Sequence, residues 1–504
     1  MVTHNASAGL AVSLARVEMA SIPAALSAAR VAQTRWADTP LTERLDRVRE
    51  LRHLIADHAS TLAEASASAR QRPALESLTA EVLPLAEACR FLERHAASIL
   101  AKRSLGRREL PLWLAGVRRE IHREPLGVVL IIGPGNYPLL LPGVQLIQSL
   151  VAGNAVLLKP GVGGSGAALA LIELIVRAGF PAQLVSLLPE SAAAARAAIE
   201  ARPDKVLFTG SAATGETILQ QLAPHLIPAT MELSGSDAVV VRADADLDLV
   251  TKALVFGLTL NAGATCMAPK RVFVHRSIAT ELEGRLARAF PIELSLRLEP
   301  LLSASVRPVL EEALAAGVHF IAGGLHHDGS VLAPVVLGGA TPGSRLLRED
   351  LFAPVLIVST VASDDEAVTR AHESPFALGA SVFSRDHAAS RELAARLHAG
   401  VVSVNDLIVP TADAHLPFGG RKRSGFGVTR GAEGLLELTA SKVITVNRGQ
   451  FRPAFEPPNP QDGAMFQAYL GLTHGRSLLQ RARALVALFR SLSRRTKTSK
   501  QSNL

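Results

Sequence analysis

The chain has 504 residues, 48% of them hydrophobic and 19% charged, with two cysteines and a formal net charge of +8. That length exceeds one compact core and implies two or three domains. The composition excludes a disordered chain, and two cysteines exclude a disulfide framework and point to a reducing compartment. Residues 476–504 hold eight Lys/Arg and no Asp/Glu, so 53 minus eight leaves 45 basic against 45 acidic residues in the rest. The basicity therefore belongs to the tail, and a nucleic-acid-binding body is not expected.

No secretory signal is expected, because His4, Asn5, Ser7 and Gly9 stand where a basic start and an apolar run would be. Residues 10–106 read as helical; within Leu41–Leu62, apolar Leu45, Val48, Leu51, Leu54 and Ile55 recur at three- and four-residue spacing. Residues 110–126 alternate more and read as an extended hairpin ending at Pro125. Gly127–Ile147 is apolar enough for a membrane span. Its glycines and prolines would leave backbone groups unpaired in lipid, so a buried strand, a turn and a helix from about Pro142 to Val151 are predicted instead. Strands at Gly127–Ile132, Ala155–Lys159, Leu184–Leu188, Lys205–Phe208 and Ala238–Val241 alternate with helices at Ala167–Ala178, Ala193–Glu200 and Glu216–Leu222. A second alternating set runs from Arg271 to Val404. Strands that alternate with helices predict parallel, doubly wound sheets. Residues 450–464 are Pro-rich and read as a linker.

Five motifs carry chemistry. Cys266 lies in Asn261-Ala-Gly-Ala-Thr-Cys-Met-Ala-Pro-Lys-Arg271, and Cys89 is the other cysteine. A thiolate attacks carbonyl carbon well; the bland alternative is a small buried hydrophobe. Thirty-four residues earlier, Met231-Glu-Leu-Ser-Gly235 offers the carboxylate of Glu232, which could activate a water. In Gly133-Pro-Gly-Asn-Tyr-Pro138, the amide of Asn136 could donate to a developing oxyanion together with the Cys266 N–H, or be a plain turn asparagine. Lys159 ends a strand where nucleotides bind in open α/β sheets, or is a solvated surface lysine. Phe208-Thr-Gly-Ser-Ala-Ala-Thr-Gly215 opens a helix whose N-terminus suits a pyrophosphate, or is a plain strand-to-helix turn. It is no P-loop, because Glu216 stands where the lysine must be. The 15 histidines lack ligand spacing, so no metal is expected.

Taken in order, GPGNYPLLLPG, LLKPG, FTGSAATG, MELSG, NAGATCMAPKRV, REDLFAPV and LPFGGRKRSGFG resemble the aldehyde dehydrogenase superfamily from about residue 40 to residue 447. The resemblance implies a Rossmann-like nucleotide-binding domain (1–233), a catalytic α/β domain (234–433) and a small bridging β oligomerisation element combining residues near 108–125 with 434–449. It implies that Cys266 attacks an aldehyde, that Asn136 and the Cys266 N–H hold the oxyanion, and that Glu232 activates the water that hydrolyses the thioester. Lys159 would contact the adenosine ribose of NAD or NADP. Gly210, Ser211, Thr214 and Gly215 would line the pyrophosphate turn, and Asp350 and Phe352 would stand by the nicotinamide ribose. A homodimer or homotetramer is implied. Glu232 disfavours the alternative of acyl transfer to coenzyme A.

Three positions depart from the family pattern: Gly135 for a tryptophan, Asp350 for a glutamate, and Val162 for an acidic or polar residue. They leave NAD against NADP open and motivate a third reading, a catalytically weak homologue with a structural or membrane role. A pocket formed by Tyr137, Val144 and residues 405–415 would be low in aromatics, which favours an aliphatic aldehyde. In the 465–504 tail, Leu478, Ala482, Leu485, Val486, Phe489 and Leu492 recur at helical spacing among arginines. This basic amphipathic helix would dock on protein or, through 476–500, on an anionic membrane surface. A cytoplasmic enzyme, peripheral at the membrane in the second case, is expected.

Overall fold

The computed structural model describes residues 17–68, 71–106, 110–111, 114, 116–448, 455, 460 and 462–501. The readings at His4–Gly9, at 107–109, 112, 113 and 115 of the expected hairpin, and across most of the Pro-rich linker lie outside these residues.

Five helices come first: α1 (Ile22–Ala37), α2 (Leu41–Asp57), α3 (Ala59–Ser68), α4 (Ala74–Ser77) and α5 (Leu83–Ile99). Two strands follow, β1 (Arg103–Leu105) and β2 (Val117–Pro125). The expected helical stretch therefore ends at Ile99, and 103–105 pairs antiparallel with Arg119–Ile121. The first arm of that hairpin precedes the span expected for it. Three residues carry no periodicity of their own, and the pairing partner decides their state.

Next come β3 (Val128–Ile132), α6 (Leu140–Val151), β4 (Ala155–Lys159), α7 (Ser165–Arg177), β5 (Val185–Leu187), α8 (Ala192–Glu200), β6 (Lys205–Thr209), α9 (Ala212–Leu222) and β7 (Ala229–Glu232). β3 and β4 are buried along their whole length, as apolar strands covered on both faces must be. Gly127–Ile147 is thus strand, turn and helix, and among the described residues no helix is long and apolar enough to cross a membrane. With the later β18 the sheet has the order β18-β7-β6-β3-β4-β5. β3 to β7 are parallel, and the strand order reverses direction between β3 and β6. Ligands bind outside the carboxyl ends of such strands.

The second set is β8 (Asp237–Val241), α10 (Leu247–Thr259), β9 (Pro269–His275), α11 (Ala279–Ala289), β10 (Leu296–Arg297), α12 (Pro300–Ala315), β11 (His319–Leu325), β12 (Val331–Gly338), β13 (Val355–Val361), α13 (Asp364–His372), β14 (Phe376–Ala377), β15 (Gly379–Phe383), α14 (His387–Arg396) and β16 (Val401–Val404). Its sheet runs β10-β12-β13-β9-β8-β15-β16, with β11 beside β12. The path from β12 to β16 is parallel. Helix α10, not anticipated from sequence, is capped by Asp246, whose carboxylate accepts the Asp248 and Leu249 N–H groups.

The chain closes with β17 (Arg421–Lys422), β18 (Gly425–Phe426), α15 (Gly431–Leu436), β19 (Thr439–Asn447), α16 (Asp462–His474) and α17 (Leu478–Gln501). The strand expected over 434–449 is shorter, because 431–436 forms a helix. β19 closes a three-stranded sheet of order β1-β2-β19. The described residues divide into two compact units, one within 1–101 and 122–442, the other within 102–121 and 443–504. Both large sheets lie in the first. In the second, α16 packs on α17 through Met465, Ala468 and Leu488.

Candidate active site

Cys266 follows a short turn at the end of α10. Asn261, Ala262 and Gly263 all have positive φ, at 51°, 50° and 75°. A Cβ on Gly263 would come within 2.5 Å of the Pro354 backbone, so glycine is required there by both conformation and space. The Gly133–Pro138 loop grips this turn. The Asn136 side-chain amide donates to the Ala264 carbonyl (3.0 Å), the Asn261 side-chain amide donates to the Asn136 carbonyl (2.9 Å), and the Tyr137 hydroxyl shares a 2.7 Å hydrogen bond with Thr265. Asn136 and Cys266 are thus brought together, with the amide fixed two residues ahead of the thiol.

Glu232 ends strand β7 rather than lying in a turn, and is buried. Thr209 donates to one carboxylate oxygen (3.2 Å) and Thr429 to the other. Burial raises the Glu232 carboxyl above its ordinary range, opposed by the Arg430 charge and the two threonines. Burial, with Asp237 and Glu232 nearby, pushes the Cys266 thiol up to about 12, while Arg430 pulls it down. Thiol and carboxylate therefore sense each other across one buried site.

An open pocket of about 950 Å³ reaches Cys266. Its walls are largely apolar, with Leu140, Leu141, Phe256, Leu260, Ile408, Val409 and Phe418, and Arg430 is the charged residue among its lining. Tyr137 and part of 405–415 line it as expected, whereas Val144 lies in a smaller pocket beyond Arg430, beside Phe91 and Ala414.

Sequence reasoning missed three charged residues here. Arg430 is buried, its Nη1 donates to the Thr411 carbonyl, and its Nε has no partner. Glu81 is fully buried, pairs with Arg72, and accepts the Leu139 and Leu140 N–H groups (2.8 and 2.9 Å) where α6 begins, a position that favours negative charge. Arg72 also donates to the Asn136 carbonyl (3.3 Å). A lone arginine in Thr-Arg-Gly carries no local signal of burial; the partners lie far away in sequence.

The residues expected to hold a dinucleotide sit at the carboxyl ends of the first sheet or, for Asp350 and Phe352, in the segment that leads into β13. Lys159 ends β4 and is buried, and its ammonium makes no hydrogen bond or ion pair with a described residue. Ser211 caps α9 by accepting the Thr214 N–H (3.2 Å), and Gly210 donates its N–H to the Glu232 carbonyl (3.0 Å). A Cβ on Gly210 would meet the Phe208 ring at 2.4 Å and one on Gly215 would meet Leu233 at 2.7 Å. On the side where a Cβ would stand, these glycines are therefore packed against the chain's own side chains. Asp350 has a buried carboxylate oxygen without a partner, and Phe352 is exposed. An unpaired buried ammonium, an orphaned carboxylate oxygen and a capped helix N-terminus fit a phosphate- and ribose-bearing cofactor.

Compared with known proteins, residues 2–444 match the model of the aldehyde dehydrogenase family. The chain belongs to that family. It is 32% identical to the 4,4'-diapolycopene aldehyde oxidase of Methylomonas sp, over 91% of this chain and 88% of that protein. Among solved structures it is similar to the NADP-dependent glyceraldehyde-3-phosphate dehydrogenase of Bacillus halodurans complexed with NADP (28% identity, TM-score 0.78, 86% of this chain and 92% of that one). It is also similar to the betaine aldehyde dehydrogenase of Staphylococcus aureus in complex with NAD+ (25% identity, TM-score 0.79, 87% and 90%). This aldehyde dehydrogenase therefore catalyses NAD(P)-dependent oxidation of an aldehyde.

Proposed function

We propose that the enzyme oxidises apolar, aliphatic aldehydes to free carboxylic acids through a thioester on Cys266. The observation that carries this reading is the apolar pocket that ends at the thiol, with Asn136 fastened beside it. The similarity to an oxidase named for a diapolycopene aldehyde supports a long apolar substrate.

Cys266 gives up its proton to solvent in the open pocket and its sulfur bonds to the aldehyde carbon, whose oxygen takes the negative charge. One Asn136 N–H is engaged with Ala264, which leaves the second for that oxygen, together with the Cys266 N–H. Bound NAD or NADP supplies the hydride acceptor. Lys159, the turn at Gly210, Ser211, Thr214 and Gly215, and Asp350 with Phe352 would hold and orient it. Glu232 then takes a proton from a water that attacks the thioester carbon; the C–S bond breaks and the acid leaves. Its raised proton affinity suits it to this work near neutral pH. In this reading residues up to Leu233 form the nucleotide-binding half and 234–433 the catalytic half.

The test is a panel of aldehydes of increasing chain length with each nicotinamide, following absorbance of the reduced cofactor, with and without coenzyme A. Rates that rise with chain length and an acid product support the reading. A strict requirement for coenzyme A, or preference for short charged aldehydes, overturns it.

We also infer assembly into dimers or tetramers through the small sheet. What supports this is that β19 is its edge strand and presents exposed Val443, Ile444 and Val446. For the tail we infer contact with an anionic membrane surface from a cytoplasmic position. Leu478, Leu479, Val486 and Phe489 of α17 are exposed and interleaved with Arg476, Arg483 and Arg490, which complement anionic headgroups.

A further inference from the structure

β4 and β5 are neighbours, and their carboxyl ends carry two opposite charges, Lys159 and Glu190. The Lys159 ammonium is buried without a hydrogen-bond partner among the described residues, and the charge that acts on it is that of Glu190. Glu190 turns back over the loop between β4 and α7. One carboxylate oxygen accepts the Gly163 N–H (2.8 Å) and the other the Ser165 N–H (2.8 Å). These N–H groups stand at the start of the 13-residue α7, where the free donors would otherwise attract an anion. Val162, at the tip of the same loop, is 80% exposed and brings no charge.

We propose that Glu190 sets the choice of cofactor in favour of NAD. This rests on the reading that Lys159 holds the adenosine ribose. A carboxylate has about four acceptor positions, and the two N–H groups leave the others for ribose hydroxyls. A 2′-phosphate would need the donors that Glu190 already fills and would bring negative charge against it. Position 162 lacks the carboxylate that would do this from the β4 side, and Glu190 supplies one from the end of the neighbouring strand.

The test is calorimetric titration of the full-length enzyme with NADH and with NADPH, which needs no turnover. NADH is expected to bind at least about tenfold more tightly than NADPH. Glu190→Gln should narrow that gap to about threefold, chiefly by tightening NADPH. Val162→Arg, at an exposed position that tolerates a long side chain, should tighten NADPH while NADH changes little. Equal affinities in the natural enzyme, or an equal loss for both cofactors in Glu190→Gln, would show that Glu190 only caps the loop. Lys159→Met separates the underlying reading: if it leaves both affinities unchanged, the ribose does not lie at Lys159. If it weakens both while Glu190→Gln leaves the ratio untouched, the role of Glu190 alone fails.

Discussion

The guanidinium of Arg430 lies 4.5 Å over the ring of Phe418. Phe418 lines the pocket, so the cation is seated on an aromatic face at the edge of the apolar cavity that holds Cys266. Its own backbone has a φ of 61°, a conformation that costs free energy in a non-glycine residue. A buried cation with an unpaired Nε, beside a thiol and a carboxylate both disfavoured as anions, is placed to offset whichever of them ionises.

Arg430→Met should therefore make the Cys266 thiolate scarcer. Iodoacetamide alkylation of Cys266 at pH 8 is expected to slow about tenfold, equivalent to a shift of about one unit in the thiol. Mass-spectrometric rates of labelling at Cys266 check this. An unchanged rate in a folded variant would assign Arg430 to packing alone.

The pH dependence of the same labelling follows from the thiol being pushed up to about 12. Below that value the thiol is protonated, so each rise of one pH unit should multiply the thiolate, and the rate, about tenfold. Cofactor-free enzyme should show this from pH 7 to pH 10 with no plateau. Saturation below pH 9 would mean that the charge of Arg430 outweighs burial.

Glu232→Gln should separate acylation from deacylation. Rapid-quench measurements are expected to show one equivalent of reduced nicotinamide per site, followed by turnover lowered about 10²- to 10⁴-fold, the usual loss for a general base. In the natural enzyme the steady-state rate should fall as pH drops through a value above the ordinary glutamate range, because burial raises this carboxyl and the protonated form cannot accept a proton. Full turnover in the variant would remove Glu232 from the mechanism.

Removal of residues 465–504 should abolish co-sedimentation with vesicles containing anionic phosphatidylglycerol and leave turnover of a water-soluble aldehyde unchanged. Binding by the full chain should weaken with salt, at roughly 1 kcal/mol per basic residue near the surface. Equal binding to neutral vesicles, or a smaller assembly by light scattering after truncation with no vesicle binding by the full chain, would point to contact with another copy instead.

Much of the architecture is legible in short apolar runs. Val128–Ile132 and Ala155–Lys159 could only be strands covered on both faces, and the helices between them follow from spacing. β1 and β7 were not legible, being three and four residues long and defined by their neighbours. Cys266, Asn136 and Glu232 stand out because each sits in a distinctive motif. Their supports do not: Thr209 and Thr429 converge on Glu232 from 23 residues before it and 197 residues after it, and Glu81 reaches α6 across more than fifty residues. Local sequence carries no record of such meetings. The packing of Gly210 on Phe208 and of Gly215 on Leu233 was likewise not legible, because it depends on side-chain positions that the motif does not record.

The contact of Gly263 with Pro354 ties two halves of the chemistry to one mechanical joint. The turn that leads to the thiol cannot shift without pressing on the segment that carries Asp350 and Phe352, so enlarging residue 263 would displace Cys266 and that segment together. Attempts to reshape substrate range should leave this joint alone and work on the pocket lining at Phe256 and Val409.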